Sequence, residues 1–190
     1  MSERRARRPA GTAPRAHVAL AGNPNVGKSS LFNQLTGAHQ HVANWPGKTV
    51  ERHVGTCRLG AVDIEVVDLP GTYSLSGVSP EEQVAVEALT DPALDAVVVV
   101  LDSTNLERNL YLAAQVAELG RPLVVVLNLT DAAARDGFLL DDAALGGAFG
   151  APVVRTVART GVGLEELRTV LARVLDAAPV VRAGDREVPA

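Results

Sequence analysis

Gly22-Asn23-Pro24-Asn25-Val26-Gly27-Lys28-Ser29 matches the pattern G-x-x-x-x-G-K-[ST] at every fixed position. Before it stands the apolar run His17-Val18-Ala19-Leu20-Ala21, which reads as a buried strand. After it, Ser30-Leu31-Phe32-Asn33-Gln34-Leu35 reads as the first turns of a helix. Strand, glycine loop and helix together form a phosphate cradle. Glycines let backbone N–H groups curl around phosphate oxygens, and the helix N-terminus adds unpaired donors and partial positive charge. Phosphate contacts are therefore expected along Gly22, Asn23, Pro24, Asn25, Val26, Gly27, Lys28, Ser29 and Ser30. The Lys28 ammonium suits β- and γ-phosphates, and the Ser29 hydroxyl suits Mg²⁺.

Around this stretch, 190 residues suffice for one domain with a sizeable core, and 47% apolar with 21% charged residues is the balance of a soluble globular protein. No apolar run approaches the roughly 18 residues needed to span a membrane, and the arginines at the start are not followed by the apolar segment of a signal peptide. The single cysteine, Cys57, excludes an internal disulfide and fits a strand residue in a reducing compartment. A net charge of −4 with mixed signs argues against nucleic acid as the main partner. Sixteen of the 18 basic residues are arginine, so Lys28 is one of only two lysines, and it stands where a compact ammonium is needed.

Residues 1–15 read as a disordered basic arm, 16–177 as the folded domain and 178–190 as a tail. Thr36-Gly37 stops the first helix, and 38–49 look irregular around Trp45-Pro46-Gly47. Glu51–Leu59 and Ala61–Val67 flank Gly60 as an antiparallel hairpin. Ser79-Pro80-Glu81-Glu82 is a helix start with a capping box. Ala96–Leu101, Pro122–Leu127 and Val153-Val154 read as further strands. Leu106–Leu119 and Leu164–Leu175 read as helices, and 131–150 as a broken helix with loops. The alternation predicts an α/β fold: a mostly parallel six-stranded sheet with one antiparallel edge strand and helices on both faces. The phosphate loop, Asp68, Asn128 and the loop after Val154 should meet at one sheet edge.

Two more constellations lie on that edge. Asp68-Leu69-Pro70-Gly71 follows a strand 40 residues after Lys28. Its carboxylate can hold Mg²⁺ through water, and the Gly71 N–H can meet a γ-phosphate. Asn128-Leu129-Thr130-Asp131 begins where a strand ends. Asn128 can bond a base at N7 and brace the ribose side. The Asp131 carboxylate can accept from N1–H and the N2 amine of guanine, donors that adenine lacks. Thr49, between the first helix and the hairpin, is a second hydroxyl ligand for Mg²⁺ when a γ-phosphate orders its loop.

These motifs, in this order, resemble the translation-factor-related class of P-loop GTPases. The strings Asn44-Trp45-Pro46-Gly47-Lys48-Thr49-Val50-Glu51 and Asp68-Leu69-Pro70-Gly71-Thr72-Tyr73-Ser74-Leu75 resemble the cytosolic G domain of the FeoB family of bacterial ferrous-iron transporters, over residues 16 to 177. The resemblance implies a P-loop GTPase fold, binding of GTP and GDP, slow hydrolysis with Mg²⁺, and coupling to Fe²⁺ uptake at the cytoplasmic face of the inner membrane. It implies partners too: a helical domain and a membrane iron-permease domain, through which the protein can oligomerise. Neither domain is encoded in these residues, so the chain reads as a truncated or a free-standing G domain. Gly47, Lys48 and Thr49 join the nucleotide contacts by the same resemblance, as do Thr156, Val157 and Ala158. In this last motif a backbone N–H of Val157 or Ala158 meets guanine O6. Asn25, Lys28, Thr49 and Gly71 are the expected catalytic set, with K⁺ held at Asn25 as in family members that K⁺ activates.

The sequence departs from the family pattern in three places: Lys48 replaces a valine, Leu129-Thr130 stands inside the base motif, and Thr156-Val157-Ala158 replaces Ser-Ala. The residue after Gly71 is Thr72, where many GTPases place a water-orienting glutamine. Histidines 39, 41 and 53 lack the companion ligands of a metal site and read as solvated loop residues. Two other functions remain open at this level: a nucleotide-binding module without significant hydrolysis, and a ribosome- or tRNA-associated GTPase.

Overall fold

A computed structural model describes residues 16–37, 39–60 and 62–177. The expected arm over 1–15 and tail over 178–190 lie outside them. In chain order the elements are β1 (Ala16–Gly22), α1 (Lys28–Thr36), β2 (Gln40–Asn44), β3 (Glu51–Leu59), β4 (Val62–Asp68), α2 (Pro80–Thr90), β5 (Ala96–Asp102), α3 (Leu106–Glu118), β6 (Leu123–Asn128), α4 (Thr130–Arg135), α5 (Asp142–Phe149), β7 (Val153–Arg155) and α6 (Leu164–Ala177). The strands form one sheet in the order β2-β3-β4-β1-β5-β6-β7. β4, β1, β5, β6 and β7 run parallel, while β3 is antiparallel to β4 and β2 antiparallel to β3.

The sheet therefore has seven strands where the sequence suggests six. The added strand is β2, within the stretch that reads as irregular. All five of its residues are exposed, so it carries no apolar alternation to betray it. Its place is set by backbone pairing with β3, from Gln40 opposite Gly55 to Asn44 opposite Glu51. The hairpin turn closes through Trp45 N–H to the Val50 carbonyl (2.9 Å) and Lys48 N–H to the Trp45 carbonyl (3.0 Å). The stretch 131–150 resolves into two short helices, and Asp141 caps the second by accepting from Ala144 N–H.

β5 shows why the central strands are continuous apolar runs: both of their faces are buried. Val98 and Val100 face a layer that includes Leu31 and Phe32 of α1 and Leu167 and Leu171 of α6. Val97, Val99 and Leu101 face the other, with Leu89 of α2 and Leu112 and Val116 of α3. Cys57 belongs to the first layer, and burial pushes its thiol up to about 11, which suits a packing residue and not a nucleophile. Among the described residues no helix is long and apolar enough to cross a membrane. Because the central strands are parallel, the loops after β1, β4, β5, β6 and β7 all emerge at one edge.

Candidate functional site

The loop between β1 and α1 holds its shape through backbone conformations its residues can take. Gly27 has φ 84° and Asn25 φ 67°. Asparagine tolerates the left-handed region better than most side chains, so Asn25 stands exposed at the loop without a glycine being needed. α1 begins directly at Lys28, so its first N–H groups face the loop. Lys28 and Asp68 are both buried, and Lys28 Nζ donates to Asp68 Oδ1. Ser29 Oγ donates to Asp68 Oδ2 at 3.0 Å. One carboxylate at the end of β4 thus gathers the ammonium and the hydroxyl expected to meet phosphate and metal.

Gly71 packs directly on the loop: a Cβ there would come within 2.9 Å of Pro24 Cα. Thr72 is buried, and its N–H donates to the Gly22 carbonyl at 3.3 Å, so this residue is tied into the protein. A cavity of about 410 Å³ lies over these groups, lined by Asn23, Pro24, Asn25, Gly27, Lys28, Ser29, Ser30 and Gly71. Val26, by contrast, is a core residue, and its side chain anchors the loop.

Asn128, expected from the sequence to meet the base, is bonded within the protein. Its Nδ2 donates to the Val26 carbonyl at 2.9 Å, while its Oδ1 accepts from Thr156 Oγ1 (3.1 Å) and Ala158 N–H (2.9 Å). It braces the phosphate loop to the loop after β7. Leu129 has φ 62°, the left-handed turn that directs Asn128 inward and starts α4 at Thr130. Asp131, in the first turn of α4, lines a second cavity of about 280 Å³ with Gly27, Ser30, Asn128, Leu129 and Val157. The two cavities adjoin, sharing Gly27 and Ser30 in their linings, and this trench has Lys28 in one part and Asp131 in the other. Thr156 is fully buried, and the Val157 N–H donates to the Val162 carbonyl at 3.0 Å. Sequence reasoning missed Arg135 and Arg159, which also line the second cavity. Each is one arginine among 16, and nothing in the local pattern marks it.

Gly47, Lys48 and Thr49 are not brought to this trench. They sit in the turn between β2 and β3, where Gly47 and Thr49 are exposed and Lys48 Nζ pairs with Glu87 of α2 at 2.7 Å. Trp45, in the same turn, packs against the second core layer, and the Arg52 guanidinium carbon lies 5.0 Å from its ring centroid.

Comparison with known proteins agrees with this architecture. The family model described as "Ferrous iron transport protein B" matches residues 16–171. The chain belongs to the FeoB family. It is 50% identical over 158 residues to an Fe(2+) transport protein A/Fe(2+) transporter FeoB fusion protein of Porphyromonas gingivalis, covering 81% of this chain and 19% of that protein. Its fold is similar to that of the G domain of the T. maritima FeoB iron transporter, with TM-score 0.78, 42% identity, and coverage of 84% of this chain and 98% of that one. It is also similar to an S. thermophilus NFeoB variant bound to GDP, with TM-score 0.78, 42% identity, and coverage of 86% and 63%. The chain spans about a fifth of the length of the curated relatives it matches. It corresponds to the G-domain part of FeoB, a mixed seven-stranded α/β unit.

Proposed function

We propose that this FeoB-family chain is a GTP-binding and slowly GTP-hydrolysing switch domain that regulates ferrous-iron uptake across the bacterial inner membrane, working from its cytoplasmic face. The observation that carries the reading is the pair of adjoining cavities, one lined by Gly71 and by Lys28 and Ser29, which Asp68 holds, and the other lined by Asp131. The chemistry of these groups suits a guanine nucleotide.

Each end has a chemical task. Lys28 and the N–H groups of the loop and of Gly71 stabilise charge on the β- and γ-phosphates. The donor set of the Ser29 hydroxyl and the Asp68 carboxylate, 3.0 Å apart, is of hard oxygens and fits Mg²⁺, with Asp68 acting through water. When bound, that ion would neutralise charge shared by the phosphates. Thr49 joins as a ligand only if the β2–β3 turn moves toward the loop. Asp131 accepts from guanine N1–H and N2, and guanine O6 shares the Ala158 N–H with Asn128 Oδ1 in a three-centre bond. With a buried Thr72 in the position after Gly71, turnover rests on charge stabilisation and is slow. In a longer protein the partners are a helical domain and a membrane iron-permease domain, and nucleic acid is not among them.

The test is single-turnover hydrolysis of GTP with and without Mg²⁺, run alongside binding of GDP, ATP and xanthosine diphosphate. The expected result is Mg²⁺-dependent release of phosphate from GTP and no competition by ATP. Asp131→Asn should exchange guanosine for xanthosine preference by swapping an acceptor for a donor. Equal affinity for ATP and GTP would overturn the base assignment. Tight GTP binding without turnover would leave only a binding module.

A further inference from the structure

The segment that leaves the phosphate site, Gly71 to Leu75, is fastened on two sides. On the loop side are the Thr72 N–H to Gly22 contact and the close approach of Gly71 to Pro24. On the other side stands α3. The Leu75 N–H donates to Gln115 Oε1 at 2.9 Å, and the Arg108 guanidinium carbon lies 4.4 Å from the centroid of the Tyr73 ring. Arg108 also serves the loop with its backbone, because its carbonyl accepts from Asn23 Nδ2 at 3.1 Å. Asn23 is buried inside the phosphate loop. A single residue in the first turn of α3 therefore touches the loop with its main chain and the 71–75 segment with its side chain. It lies outside every nucleotide motif, and its side chain is exposed.

We propose that Arg108 is a positioning residue for hydrolysis. By stacking on Tyr73 it clamps the 71–75 segment to α3 and so sets where the Gly71 N–H stands against the γ-phosphate. The inference rests on the GTPase reading above. Tyr73 is 44% exposed, so the ring is not held by core burial and depends on the arginine over its face. Tyr73 lies two residues from Gly71, too few to absorb a displacement of the ring. Without the stack, the Gly71 donor loses its fixed aim and the transition state loses a pre-organised hydrogen bond. GDP has no γ-phosphate, so its binding is indifferent to the clamp.

The experiment measures single-turnover GTP hydrolysis and GDP affinity for the full 190-residue chain as wild type, R108A, R108K, Y73L and R108A/Y73L. R108A and Y73L should each slow hydrolysis about two- to fivefold, the size an exposed cation–π contact supports, with GDP affinity unchanged. The double variant should be no slower than either single one, because both remove the same contact. R108K should recover most of the rate, since an ammonium can also stand over the ring. Three results would overturn the clamp while leaving the GTPase reading intact: an unchanged rate in R108A, additive losses in the double variant, or a matching loss of GDP affinity. A wild type that binds GDP but shows no GTP turnover would overturn that reading and the clamp with it.

Discussion

A Cβ on Gly27 would lie 2.2 Å from Asn128 Nδ2, so the brace between phosphate loop and base loop needs glycine there for space as well as for its φ of 84°. That reason is invisible in the motif, which explains Gly27 by phosphate contact alone. Asn25 shows the same doubling. Its left-handed φ of 67° is a structural reason for asparagine, and its exposure at the lining of the loop cavity suits the cation role expected of it. The two separate by substitution. Asn25→Ala would remove the side-chain carbonyl but also strain the backbone by roughly 1–3 kcal/mol. Asn25→Gly removes the carbonyl and keeps the conformation at ease. If that carbonyl holds K⁺ beside the phosphates, wild-type hydrolysis runs faster in KCl than in NaCl of equal ionic strength. In Asn25→Gly the difference disappears while GDP affinity stays within about twofold, a change of under 0.5 kcal/mol. Equal wild-type rates in the two salts would rule the cation mechanism out.

At the scale of elements, the start of α2 is legible and its reach is not. The capping box of Ser79 and Glu82 forms as its sequence spacing predicts. The Glu82 carboxylate also accepts from Ser74 Oγ (2.6 Å), Ser76 Oγ (2.7 Å) and Val78 N–H (3.0 Å), tying down the loop before the helix. The hydroxyls of Ser74 and Ser76 are the main cause that lowers its pKa from 4.5 to about 2. A carboxyl depressed by folding contributes stability that is complete above its unfolded value and is lost as pH falls through its folded one. The protection of the amides in residues 74–82, taken relative to intrinsic exchange at the same pH, should therefore fall between about pH 4.5 and 2, and in Glu82→Gln it should be low throughout. The β2–β3 hairpin is the second such element. Its turn holds Trp45 between Arg52 and the core, while every residue of β2 is exposed. Little apolar burial resists its movement, so it belongs to the low-stability end of the fold. Trp45, the only tryptophan, should change its fluorescence between GDP and a non-hydrolysable GTP analogue. An unchanged spectrum with both ligands bound would mean that the turn does not respond to the γ-phosphate.

For the whole molecule, the parallel sheet buried on both faces is the rigid part against which loops move. Leu101, fully buried at the site end of β5, packs among residues of β1, β6 and α3. Leu101→Ala should destabilise the domain by about 2–5 kcal/mol, seen as a lowered denaturation midpoint. GDP should restore part of that loss, because it binds only the folded chain.

The parallel core, the glycine loop, the positions of Asp68 and of Asn128 to Asp131 at strand ends and the α2 cap can all be read from the chain before it folds. Each is written in local signals: apolar runs, glycine spacing, strand ends and capping residues. β2 emerges with the folded sheet alone, because an exposed edge strand is held by backbone pairing that leaves no side-chain pattern. The same holds for the inward role of Asn128, whose partners Val26 and Ala158 are 102 and 30 residues away. It holds too for the pairing of Lys48 with Glu87, the arginines around the cavity beside Asp131 and the stacking of Arg108 on Tyr73. Long side chains choose partners after the chain has folded, and an arginine in a helix pattern reads as solvated until the structure shows what lies beneath it.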